Sequence, residues 1–237
     1  DYGSSALYRN TCQLITFTDC SDVEMDGFIS TGRPNDPGYS GYGLAIYGGA
    51  DVRTRNMNGI TGWGFTGTNR INGWHVTDCV MNRVDVHDSA HNVFVDNCDL
   101  HDVGVVYGWG GGLIKITNCR VYNCSALSVR SDYGGTFFGS VVIDGIDVVN
   151  DGTVRYYVFD GQRYKPGAST DVYLPREIAI KNIRRHNNTV GNSAELQPFD
   201  IQVEPTAAGK VYAPREIVIS DFESKAGNTF GWQMDFR

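Results

Sequence analysis

The feature that most limits what this chain can fold into is a short motif, apolar-any-apolar-any-any-apolar, that returns eight times. It occurs as Val23-Met25-Phe28, Val52-Thr54-Met57, Trp74-Val76-Cys79, Val93-Val95-Cys98, Ile114-Ile116-Cys119, Val141-Ile143-Ile146, Ile178-Ile180-Ile183 and Ile217-Ile219-Phe222. Thr54 is its one polar member. Successive third positions lie 29, 22, 19, 21, 27, 37 and 39 residues apart, so the motif stays constant while its connections lengthen. The i, i+2 alternation is a strand signal. The three-residue step to the last apolar position predicts a tight bend, carried by Asn or Asp-Gly (Asp26-Gly27, Asn118, Asp144-Gly145). A helix would need apolar residues at i, i+3, i+4 and i+7 through ten or more residues, which no interval supplies. The chain is expected to be all-β with little helix.

One copy of such a motif cannot bury its own apolar row, but copies stacked at about 4.8 Å merge their rows into a continuous core. Cys79, Cys98 and Cys119 then fall on one another, and are expected as buried free thiols. The six cysteines include no Cys-x-x-Cys pair, which argues against a zinc ribbon, and the chain is too long and Cys-poor for a disulfide scaffold. With 20 Lys+Arg against 27 Asp+Glu the formal net charge is −7, which argues against nucleic acid as a partner. No stretch approaches the roughly 20 apolar residues that cross a bilayer, so no membrane insertion is expected. Residues 1–10 lack the basic start and apolar core of a signal peptide. The first residue is not Met, and the sequence stops after the strand-like residues 232–236 without a recognisable capping segment. We therefore expect one domain, residues 1–237, that is a piece of a longer protein.

The runs Val-Phe-Val-Asp-Asn-Cys-Asp-Leu (93–100) and Leu-Ile-Lys-Ile-Thr-Asn-Cys-Arg-Val (113–121) resemble the rungs of right-handed parallel β-helix proteins of the pectate-lyase-like superfamily. The resemblance covers roughly residues 12 to 236. With its lengthening rungs, aromatic content and missing secretion signal, the chain looks most like the central domain of a bacteriophage tailspike. That resemblance implies a single-stranded solenoid of about eight rungs with long loops on the C-terminal rungs. It also implies a homotrimer in the intact protein, location on the virion tail or outside the cell, no cofactor or metal, and a bacterial surface polysaccharide, capsule or O-antigen, as partner. No catalytic motif of a single family is present.

A second strand is expected before each motif, with an inward apolar residue followed by an outward one: Ile46-Tyr47, Phe65-Thr66, Val86-His87, Val106-Tyr107, Val129-Arg130, Phe159-Asp160 and Val203-Glu204. The outward row would read Tyr, Thr, His, Tyr, Arg, Asp, Glu. Aromatic faces beside Arg, His and carboxylates suit sugar recognition, although a solvated sheet face can carry the same residues. Asp160 and Glu204 would sit one strand apart, and two such carboxylates do not both ionise cheaply. Arg130 would favour the charged form of Asp160, leaving Glu204 as proton donor, the division of roles used in glycoside hydrolysis. Both residues open the longest insertions, 161–177 and 205–216, which end in the near-duplicates Tyr-Leu-Pro-Arg-Glu-Ile and Tyr-Ala-Pro-Arg-Glu-Ile.

Asp85, His87, Asp88, His91, Asp99, His101 and Asp102 invite a metal reading, but alternation splits them between a strand face and later corners, so most are expected to serve bends. Asp85 and His87 remain candidates as acid and base in a groove. The Gly-rich stretch from Tyr107 to Gly112 reads as a loop, without the helix start a phosphate cradle needs. Trp109 at its tip, with Asp132 and Tyr133 in a neighbouring bend, would either flank the groove or serve as a packing lid or subunit contact. Three functions follow: a polysaccharide hydrolase of tailspike type; a lyase or epimerase on acidic glycans using His87, Arg130 or Tyr107; or a non-catalytic adhesin or structural spike.

Overall fold

A computed structural model of the chain describes residues 15–29, 42–59, 64–129, 137–150, 156–164, 171–187, 196–203, 210–225 and 228–235. These residues form strands and bends with no helix, as the period of two requires. The fold is all-β and mainly parallel.

Eight strands carry the motif or lead into it: Ile15–Ser21, Tyr42–Arg55, Gly64–Thr77, Ala90–Asp96, Gly110–Thr117, Phe137–Asn150, Glu177–Asn187 and Glu216–Lys225. Each lies parallel to the next. The register follows the motif: Val52 pairs with Trp74, Trp74 with Val93, Val93 with Ile114, Ile114 with Val141, Val141 with Ile178, and Ile178 with Ile217. These side chains and their i+2 neighbours are buried in one continuous cluster. Thr54, the polar member, sits inside that cluster because its hydroxyl accepts a 2.7 Å hydrogen bond from the Trp74 indole N–H one strand on.

The bend has one structural cause. The residue before each third motif position, Gly27, Asn56, Asp78, Asn97, Asn118, Gly145, Asn182 and Asp221, has a positive φ between 49° and 75°. Only Gly, Asn and Asp adopt that left-handed conformation at small cost. The column is tied together laterally, Asn56 Nδ2 donating to Asp26 Oδ1 at 2.7 Å, Asn97 to Asp78 at 2.6 Å, Asn118 to Asp96 at 2.9 Å and Asn182 to Asp144 at 2.7 Å. Just beyond it Cys79, Cys98 and Cys119 are buried and free, as expected, each thiol donating to the carbonyl two residues earlier.

A second set of strands, Glu24–Asp26, Asn58–Gly59, Val80–Asp88, Asp99–Tyr107, Arg120–Tyr122, Leu127–Val129, Tyr156–Tyr164 and Leu196–Val203, also pairs in parallel. The near-duplicate segments form a small sheet of their own. Val172–Tyr173 lies parallel to Val211–Tyr212, with the two tyrosine rings stacked at 4.5 Å. At the other extreme, Asn228–Asp235 runs antiparallel to Glu216–Lys225. Its backbone pairs along the hydrogen-bonding edge of Glu216–Lys225.

Candidate functional site

In the second set of strands the register differs from the sequence reading, by one residue in the middle and by more at its ends. Leu44 pairs with Thr66, Thr66 with Val84, Val84 with Val105, Val105 with Leu127, Leu127 with Phe159 and Phe159 with Phe199. The next inward row runs Ile46, Thr68, Val86, Tyr107 and Val129. A slip of one residue sends a side chain to the opposite face, so Tyr107, expected outward, is wholly buried. Its hydroxyl donates to the Ala90 carbonyl, its ring meets Phe137 edge-on at 5.2 Å, and burial raises its phenol well above the usual range. Tyr107 is thus a core residue and is removed from the substrate-binding set. Thr66, also expected outward, is buried for the same reason.

The outward row between these inward ones reads Ala45, Gly67, Asp85, Val106, Ser128, Asp160 and Asp200. Its first part is closed to solvent, Ala45, Asp85, Val106 and Ser128 all being buried. Asp85 and His87 do meet. The Asp85 Oδ2 lies 3.1 Å from His87 Nε2 and 2.7 Å from Arg83 Nε, with side-chain exposures of 0%, 15% and 8% respectively. The three alternate along one strand on one face, which is why they converge. A fully covered Asp85 cannot touch a substrate. Its assignment to substrate binding is corrected to that of a buried counter-ion that positions His87.

Beyond Ser128 the row opens again, as it does at Thr16, the exposed residue paired with Ala45, and there Asp160 and Asp200 are half-buried. They pair directly across adjacent strands, and Ser128 pairs with Asp160 on the other side. The partner of Asp160 is therefore Asp200, not Glu204. The repeated dipeptide Phe159-Asp160 and Phe199-Asp200 is the signal that could have revealed it. Glu204, Arg130, Asp132 and Tyr133 lie outside the described residues. Tyr47 is half-buried and pairs in register with Asn69. Trp109 is half-buried too, its carbonyl accepting from Ala90 N–H at 3.3 Å. It lies in a two-residue link, because Gly110–Thr117 is a strand and not part of a loop as expected.

Of the remaining cluster, His101 stacks on Tyr122 at 4.3 Å and Asp102 sits at a bend with φ 61°, in line with corner roles. Among the described residues no three His, Cys, Asp or Glu side chains form a group suited to a metal ion. Exposed Phe138 and Tyr212 flank half-buried Tyr173 in a ladder of rings that was not expected from the sequence, although the near-duplicate segments announce its two tyrosines. No known protein family matches the chain, and neither does any curated protein or solved structure.

Proposed function

We propose that the chain is a right-handed parallel β-helix of tailspike type that binds and hydrolyses a bacterial surface polysaccharide, with Asp160 and Asp200 as its reacting carboxylates. The observation that carries this reading is their direct pairing across adjacent strands where the row opens beyond buried Ser128. Adjacent strands stand about 4.8 Å apart. That is nearer the roughly 5 Å separation of carboxyl groups in retaining glycosidases than the 6.5–9.5 Å of inverting ones. One carboxyl protonates the leaving glycosidic oxygen while the other attacks the anomeric carbon, and water then releases the sugar with net retention.

Parallel pairing of one motif from Val23 to Phe222 supports the solenoid. The described cysteines are all free, which suits a virion protein assembled in a reducing cell interior better than a secreted enzyme. A homotrimer, with three such helices side by side, completes the reading for the intact protein.

The test is incubation of the full chain with a panel of capsular and O-antigen polysaccharides, following reducing ends and ultraviolet absorbance together. Hydrolysis yields reducing ends without absorbance and a first product of retained configuration by NMR. Asp160→Asn and Asp200→Asn should each abolish turnover while leaving binding measurable. An unchanged rate in either variant refutes the assignment, and absorbance from a new double bond makes the enzyme a lyase.

A further inference from the structure

The bend column borders two hollows, of about 480 and 390 Å³, that share Asn118 in their linings. One is lined by His75, Phe94, Asp96, Lys115, Thr117 and Asp144, the other chiefly by Asn97, Asp99, Arg120, Asp147, Asn182 and Arg184. They lie outside the Asp160–Asp200 row and share no residue with it.

Three properties make this groove more than a solvated corner. First, two of its carboxylates are already held. Asp96 Oδ1 accepts from both Thr117 Oγ1 and Asn118 Nδ2, and Asp144 Oδ1 accepts from Asn182 Nδ2, which leaves each second carboxylate oxygen as an acceptor. A ligand therefore meets, at Asp96 and Asp144, acceptors whose rotamer entropy is already lost. Second, the pattern repeats along the stack. His75, Phe94 and Lys115 occupy successive positions in register, His75 stacking on Phe94 at 4.6 Å, and Asp99, Arg120, Asp147 and Arg184 do the same beyond the bend. Charged donors and acceptors thus recur every strand, about 4.8 Å, along the line beyond the bend, and the line before it carries His75 and Lys115 on either side of Phe94. Third, the charges nearly cancel. Four carboxylates (Asp96, Asp99, Asp144, Asp147) face three cations (Lys115, Arg120, Arg184), and acid alternates with Arg across adjacent strands. A groove of slightly negative balance in a chain of net charge −7 does not concentrate a polyanion.

We infer that this corner groove is a second, non-catalytic binding site for an uncharged polysaccharide segment lying along the strand stack. Lys115 and Arg184, which form no ion pair among the described residues, donate to its hydroxyls, and Asp96 and Asp144 accept from them. The inference rests on the reading that the chain binds polysaccharide.

The experiment measures binding of the full chain, by calorimetry, to uncharged and acidic members of the polysaccharide panel at 50 and 500 mM NaCl. Both Asp160→Asn and the double variant Lys115→Ala/Arg184→Ala are compared with the parent, folding being verified by an unchanged melting temperature. The expected result is binding of an uncharged member whose Kd changes less than about twofold with salt, weakens at least tenfold in Lys115→Ala/Arg184→Ala, and persists in Asp160→Asn. Uncharged-glycan binding that the double variant leaves unaltered overturns the groove while preserving the proposed function. Binding confined to acidic members and lost in high salt overturns the ligand class. Failure of every member to bind overturns both the groove and the polysaccharide reading.

Discussion

Replacing Thr54 by valine would complete the one broken apolar row of the repeat, and a pattern-based view would score it as an improvement. The structure makes it a loss. Thr54 and Trp74 are both fully buried, and the Thr54 hydroxyl accepts from the indole N–H at 2.7 Å. Valine leaves that buried donor without its acceptor, at a cost of about 1–3 kcal/mol. The added methyl returns about 0.8 kcal/mol. The net expectation is a destabilisation of about 1–2 kcal/mol, read as a fall of about 0.5 M in the urea midpoint if the slope is about 2–3 kcal/mol/M. Trp74→Phe also removes the bond but opens a cavity, so the double variant separates the two effects. Once Trp74 is phenylalanine, Thr54→Val should cost nothing or stabilise. A Thr54→Val chain as stable as the parent, or strictly additive single and double variants, would refute the reasoning.

Asn118, at φ 53°, should tolerate Gly better than Ala by about 1 kcal/mol in urea unfolding, since both lose the bond to Asp96 but only alanine pays the left-handed penalty. Asp85→Ala leaves Arg83 buried without its carboxylate and should cost about 3–5 kcal/mol, whereas Asp99→Ala on the open groove should cost under about 1 kcal/mol by the same melts. Burial pushes the Cys124 thiol up to about 12, and Cys79 and Cys98 are raised further by their neighbouring thiols and by burial. Their contribution to stability is complete below the unfolded thiol value near 8.5 and is lost as pH rises from there towards 12, because the unfolded chain sheds these protons first. Melting temperatures across that range should fall, and thiol reagents should label half-buried Cys20 before the other described cysteines.

Along the motif strands the sequence by itself determined the structure almost residue for residue. Eight copies of the motif, alternating apolar and polar positions, leave one register that buries the apolar side chains from Val52 onward and half-buries those of the first copy, and each copy is pinned by a Gly, Asn or Asp with a left-handed backbone just before its third apolar position. The second set of strands lacked that protection. Thr66 and Thr68 face inward, Val106 faces outward, and the ladder is interrupted by bulges between Thr68 and Asn69 and between Met81 and Arg83. An alternation read across those breaks therefore drifts by a residue. That drift placed Tyr107 on the surface and matched Asp160 with Glu204, whereas the assembled sheet buries the tyrosine and sets Asp160 beside Asp200. Convergence of Arg83, Asp85 and His87, the closure of their row and the groove at the bends also required the tertiary structure. They depend on which neighbouring strand lies alongside and how far it is shifted, and local sequence period does not encode that once polar residues occupy both faces.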